Sequence, residues 1–158
     1  MARKVVMREL LDPQCVLIDL KADVKKDVLQ VMAEQAAPHC GENVHTVFDV
    51  LWEREQLGTT GVGMGLAIPH GRLPHLKEVK GFFARLAEPI AFESTDKIPV
   101  DLVFLLLAPE SAGADHLHAL ATVSRALRDS ALCAQLRAAK NEAAMYRLLT
   151  EVPAMQAA

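Results

Sequence analysis

Aromatic residues are scarce in this chain, with five Phe, one Tyr and one Trp among 158 residues. So few rings leave no material for a base-stacking platform. An excess of basic charge is also missing, because 17 Lys plus Arg face 20 Asp plus Glu for a formal net charge of -3. A nucleic-acid partner needs a positive face, so none is expected. Long apolar runs are absent too. The longest, Leu102 to Ala108, is far shorter than the roughly 20 residues that cross a bilayer, so membrane insertion is not expected. Cysteine is limited to Cys15, Cys40 and Cys133, odd in number, widely spaced and without a CxxC pair. That pattern gives neither a disulfide framework nor a zinc ribbon, and it fits buried, reduced thiols in a cytoplasmic protein. The stretch Met1 to Leu11 carries Arg3, Lys4, Arg8 and Glu9 and lacks a signal-peptide core. With 51% apolar and 23% charged residues, the chain reads as one globular domain over residues 1–158, with proteins or small molecules as partners.

The pattern along the chain alternates short apolar runs with helical periodicity. Val16 to Leu20 reads as a strand. A helix follows from Asp23 to about Ala36, marked on one side by Val24, Val28, Val31 and Met32 and ended by Pro38 and Gly41. A second helix runs from about Asn43 to Leu57, with Val44, Val47, Phe48 and Leu51 as its stripe and Gly58 as its stop. Leu66 to Ile68 reads as a short strand ending at Pro69. Val79 to Ala87 and Asp101 to Leu107 are further strands, the latter apolar throughout and so expected in the centre of the sheet. Three helices close the chain, Asp115 to Leu127, Ser130 to Ala138 and Asn141 to Thr150, with a frayed tail beyond Val152. The order of elements predicts an α/β fold, a single domain with a mixed parallel/antiparallel sheet flanked by helices.

Chemistry concentrates between Arg54 and Arg72. Five glycines fall in the fourteen residues from Gly58 to Gly71, a density that marks tight turns or close backbone approach. Near its end stands Ile68-Pro69-His70-Gly71. Pro69 fixes its own φ and biases Ile68 toward extended geometry, and Gly71 lets the chain leave without crowding the ring. A stiffly presented imidazole at a strand end is the result, favoured over a plain loop histidine by the glycines around it. Neutral imidazole is a good nucleophile near neutral pH. Phosphoryl transfer asks for positioning and for donors around three charged oxygens, which backbone N–H groups and a guanidinium supply. Arg54 continues the stripe of Val47 and Leu51 and so leans inward, where its charge needs a partner.

A second cluster is Asp115-His116-Leu117-His118. With Asp115 as the N-cap, His116 falls at the first helical position, where free N–H groups favour an anion. His116 shares a face with Leu120, Val123 and Leu127 and points inward toward His70, whereas His118 leans to solvent. Spacing alone leaves a satisfied core histidine equally open for His116. His39 and His45 read as a loop and a helix-surface residue. Zinc binding by His70, His75, His116 and His118 lacks a completing carboxylate or cysteine at a familiar spacing. The glycines form no GxGxxG pattern in a strand–helix context and there is no GKS or GKT triplet, so no nucleotide or other cofactor is expected.

The run Thr59-Thr60-Gly61-Val62-Gly63-Met64-Gly65-Leu66-Ala67-Ile68-Pro69-His70-Gly71-Arg72 resembles the phosphorylation site of enzyme IIA components of the bacterial phosphotransferase system. The likeness is to the fructose–mannitol class, which includes the nitrogen-regulatory IIA protein. His116 to Leu120 and Cys133 to Arg137 resemble the same family in order and distance, and the resemblance extends from about Leu10 to Leu149. It implies that His70 accepts a phosphoryl group from a histidine phosphocarrier protein, on Nε2 with Nδ1 held by a hydrogen bond. It further implies that His116 is the second active-site histidine and Arg54 the phosphoryl-stabilising arginine, with Thr60, Glu55 and Gly71 in support. Asp115 is not part of the family pattern. A regulatory phosphocarrier of the nitrogen branch is the leading expectation, since no sugar-specific domain accompanies the IIA-like region. The output would be state-dependent binding to regulated target proteins. A IIA subunit serving a sugar-specific IIB partner is the alternative, and a non-catalytic metal- or ligand-binding module is the alternative from another class.

Overall fold

The central strand is the one that the sequence makes apolar throughout. In the computed structural model, which describes residues 6–151, Val100–Pro109 is buried along nearly its whole length. It is β6 of a six-stranded sheet among the described residues, and the preceding strands are β1 (Leu11–Leu20), β2 (Gly61–Gly63), β3 (Leu66–Ala67), β4 (His70–Leu73) and β5 (Lys80–Ile90). β6 pairs antiparallel with β5 on one side and parallel with β3 and β4 on the other. β1 runs parallel to β5 at the outer edge, and β2 folds back antiparallel on β3. The helices are α1 (Met7–Leu10), α2 (Lys25–Cys40), α3 (Val44–Gln56), α4 (Ala114–Leu127), α5 (Ser130–Ala138) and α6 (Glu142–Thr150). This is the expected α/β architecture with a mixed sheet covered by helices. Phe82, Phe83, Phe92 and Phe104 are among its largest fully buried side chains, each supplying on the order of 3 kcal/mol that truncation to alanine would remove.

Several boundaries differ from the sequence expectation, each for a local reason. β1 starts at Leu11 rather than Val16, and its register shifts between those two residues. Pro13 has no N–H for a ladder, a gap that an edge strand tolerates. α2 continues through Pro38 to Cys40, so His39 lies in a helix beside Phe82 and not in a loop. The helix ends on Gly41, whose φ of 65° closes the last turn while Glu42 N–H donates to the Ala37 carbonyl. α4 begins at Ala114 after Gly113 (φ 55°), and among the described residues no side chain caps it. Asp115 is therefore not the N-cap: its own N–H already donates to the Ala112 carbonyl. Asn43, Asp129 and Asn141 do cap α3, α5 and α6 through their side-chain oxygens. The residues beyond Val152 lie outside the described residues. Among the described residues no helix is long and apolar enough to cross a membrane.

The strand ending at Pro69 resumes at once. Leu66 and Ala67 face Leu102 and Val103 of β6, and His70 through Leu73 face Leu106 through Pro109, in one continuous register. Pro69 bridges the two pieces, its carbonyl accepting from Leu106 N–H at 2.9 Å. His70 is thus the first residue of a second strand segment and not a residue of a departing loop.

Candidate functional site

His70 sits half-buried where β4 begins, between the last turn of α3 and the first turns of α4. Its Nδ1 lies 2.8 Å from the Ile68 carbonyl. A carbonyl only accepts, so Nδ1 carries the proton and Nε2 the lone pair. Arg54 meets that lone pair: its Nε–H donates to Nε2 of His70 at 3.2 Å, while Nη1 donates to the Gly58 carbonyl at 2.8 Å. Arg54 therefore closes the end of its own helix and faces His70 at the same time. Burial lowers the His70 pKa from its ordinary value; the Arg54 charge adds to this, and the Ile68 carbonyl and Glu55 oppose it. The ring is neutral near pH 7, with a nucleophilic nitrogen beside a fixed cation.

Glu55, the next residue of α3, faces the other way and is buried. It accepts from the backbone N–H of Thr60 at 3.0 Å, from the Thr60 hydroxyl at 2.5 Å and from Lys25 Nζ at 3.0 Å. Lys25 is shared with Glu93 at 2.8 Å. Thr60 returns the favour to the strand that bears the histidine, its carbonyl accepting from Ile68 N–H at 2.9 Å. Thr60 and Glu55 thus hold the entry to the glycine-rich segment from inside. Gly71 has a steric reason to be glycine, since a Cβ there would run into Cγ1 of Val50 on α3. The β2–β3 turn is held from α5, where Arg137 forms a two-pronged pair with Asp101 and donates to the Met64 carbonyl.

His116 is brought to the same place. It is buried in the first turn of α4, with its ring 5.7 Å from that of His70 at an interplanar angle of 69°. Burial pushes its pKa down to about 4, with His70 and Arg72 contributing in the same direction. Arg72 donates from Nε to Nδ1 of His116 at 3.2 Å and from Nη1 to the Glu110 carbonyl at 3.1 Å. His118 does not lean fully to solvent as its spacing predicts; it is half-buried, with no hydrogen-bond partner for Nδ1 among the described residues. Among the described residues no group of three or more His, Cys, Asp or Glu is placed to hold a metal ion. The three cysteines are buried free thiols, and burial pushes Cys15 and Cys40 up to about 11.

Two participants were not assigned from sequence. Lys25 carried no signal, because its link to Glu55 joins positions thirty residues apart. Arg72 carries one once His70–Leu73 is a strand, because strand alternation puts i and i+2 on one face.

The family model described as "Phosphoenolpyruvate-dependent sugar phosphotransferase system, EIIA 2" matches residues 9–152. The chain belongs to this EIIA 2 family. As an EIIA 2 protein it is 54% identical to the nitrogen regulatory protein of Bradyrhizobium diazoefficiens over 149 residues, covering 94% of this chain and 97% of the relative. It is 37% identical to the nitrogen regulatory protein of Escherichia coli over 147 residues, 92% of this chain and 90% of that one. The crystal structure of nitrogen regulatory protein IIA-Ntr from Neisseria meningitidis superposes with a TM-score of 0.86 at 32% identity, covering 90% of this chain and 97% of that chain. The mannitol IIA of Escherichia coli, 21% identical over 87% of this chain and 97% of its own, shares the fold with a TM-score of 0.73. The EIIA 2 protein is accordingly a IIA component of a phosphotransferase system.

Proposed function

We propose that His70 accepts a phosphoryl group on Nε2 from a phosphorylated histidine carrier protein, and that the chain serves as a cytoplasmic regulatory IIA component of the nitrogen branch. The observation that carries the reading is the pair of contacts on His70: Nδ1–H on the Ile68 carbonyl and Arg54 at Nε2. As the lone pair of Nε2 forms the new N–P bond, the donor's N–P bond breaks and its electron pair returns to the donor ring. The proton stays on Nδ1, so the phosphorylated ring is cationic and leaves later as neutral imidazole, which suits a carrier. Arg54 supplies a permanent positive charge, and the N–H of His116 a hydrogen bond, to the phosphoryl oxygens. Thr60 and Gly71 support the site, Thr60 through Glu55 and Gly71 by admitting α3 against β4.

The nitrogen-regulatory assignment, in preference to service of a sugar-specific IIB partner, rests on the 54% identical relative. Phosphorylation places about two negative charges on the phosphoryl oxygens against one positive charge on the ring, and target proteins would read that change. The test is incubation with a phosphorylated histidine carrier, followed by intact mass, beside a His70→Ala variant. One phosphoryl group, stable to base, labile to acid and absent from the variant, is expected. A wild-type protein that no such donor labels would overturn the proposal, and restored sugar uptake with a cognate IIB and permease would overturn its regulatory part.

A further inference from the structure

Arg72 has no part in the chemistry assigned to His70, yet it holds the residue opposite. It follows His70 by two positions in β4, so the two side chains leave the same face of the strand. Its guanidinium grips Nδ1 of His116 and the Glu110 carbonyl, at 3.2 and 3.1 Å. A guanidinium donates and never accepts, and it does not lose its proton in proteins. Nδ1 of His116 must therefore present a lone pair, which leaves the single proton of the neutral ring on Nε2. That nitrogen is buried and meets no hydrogen-bond partner among the described residues. A buried donor left unpaired costs on the order of 1–3 kcal/mol and calls for an explanation. A ring separation of 5.7 Å is one that an N–P bond, a P–O bond and a hydrogen bond span.

We infer that Arg72 is a positioning residue that holds His116 as the Nε2–H tautomer in a fixed ring orientation, ready to donate to an oxygen of a phosphoryl group on His70. This rests on the reading of His70 as the acceptor. An unanchored imidazole divides its proton between two nitrogens and flips about its Cβ–Cγ bond, and the arginine removes both freedoms. No proton leaves His116; its N–H is shared with the phosphoryl oxygen and kept. The two arginines thus set two neutral histidines in opposite tautomers. Arg54 keeps a lone pair at Nε2 of His70 for attack, and Arg72 keeps a proton at Nε2 of His116 for donation.

The test joins imidazole 15N NMR of the unphosphorylated protein to single-turnover phosphorylation by the carrier, for wild type, Arg72→Met and Arg72→Lys. Wild-type His116 is expected to be protonated at Nε2, with Nδ1 at the shift of a hydrogen-bonded acceptor. Arg72→Met should lose that signature and transfer about tenfold more slowly with unchanged affinity for the carrier, less than the roughly hundredfold typical of losing an oxyanion donor outright. Arg72→Lys, which can still donate to Nδ1, should recover the signature and most of the rate. A wild-type His116 protonated at Nδ1, an Arg72→Met rate within twofold of wild type, or a lysine variant that recovers the signature without the rate would each overturn the inference. Failure of wild-type phosphorylation with His116 correctly held would sink the acceptor reading and leave only the tautomer and orientation set by Arg72. Normal phosphorylation with His116 protonated at Nδ1 would sink the Arg72 inference alone.

Discussion

Neutral His116 makes the folded protein sensitive to acid in a defined window. Its pKa is about 4 in the fold against an ordinary 6.5, chiefly because the ring is buried, with His70 and Arg72 as cationic or potentially cationic neighbours. Between those values the unfolded chain binds a proton that the folded state refuses, so stability rises with pH across the window and falls as pH drops through it. Going from about pH 7.5 to about pH 5, the group removes about 2 kcal/mol, and roughly 3 kcal/mol once the folded pKa is reached. His70, whose pKa is also lowered by burial, acts in the same direction. The measurement is urea unfolding followed by circular dichroism at both pH values, for wild type and His116→Gln. Glutamine keeps an acceptor for Arg72 but does not titrate, so the stability gap between the proteins should shift against wild type by about 2 kcal/mol at the lower pH. Shared losses from other groups cancel in the difference. A gap that stays constant, or shifts in favour of wild type, would refute the claim that the fold holds this ring neutral.

Two further perturbations follow from the packing. Gly71→Ala drives a methyl into Val50, so chemical denaturation should show about 1–3 kcal/mol of destabilisation, with slower phosphorylation wherever α3 and Arg54 are displaced. Glu55→Ala strips Lys25 and Thr60 of a buried carboxylate, and a loss of about 3 kcal/mol is expected in the same assay, whereas Glu55→Gln, which keeps an acceptor for the Thr60 N–H, should lose clearly less.

The parts of the fold legible in the sequence were those written in local patterns. The unbroken apolar run after Asp101 announced a central strand, and the segments expected over Asn43 to Leu57, Ser130 to Ala138 and Asn141 to Thr150 match α3, α5 and α6 to within a residue. The pieces that went unread depend on partners distant in the chain. β4 carries no strand pattern in His70-Gly71-Arg72-Leu73; it is a strand because β6 offers it a parallel edge. β1 begins five residues before the apolar run that marks it, because an edge strand tolerates the missing N–H of Pro13. At the site, Arg54, His70 and His116 stood out because a charge on an apolar stripe, a histidine between proline and glycine and an inward-facing histidine are unusual surroundings. The tethers that hold them, Lys25 to Glu55 and Arg72 to His116, are ordinary surface-type residues whose roles appear only once the fold has brought them together.

The seamless register of Leu66–Ala67 and His70–Leu73 along β6 bears on how information could leave this protein. His70 is mounted on a strand paired with the central strand on both sides of Pro69. A group attached there has little leverage to bend the backbone, and the glycine segment upstream is itself pinned at Thr60 and Met64. A partner distinguishing the two states would then be sensing a local electric field on an unchanged shape, much as a lock plate tells a magnet from a blank. Discrimination would be lost in high salt and would survive crosslinking that freezes the fold.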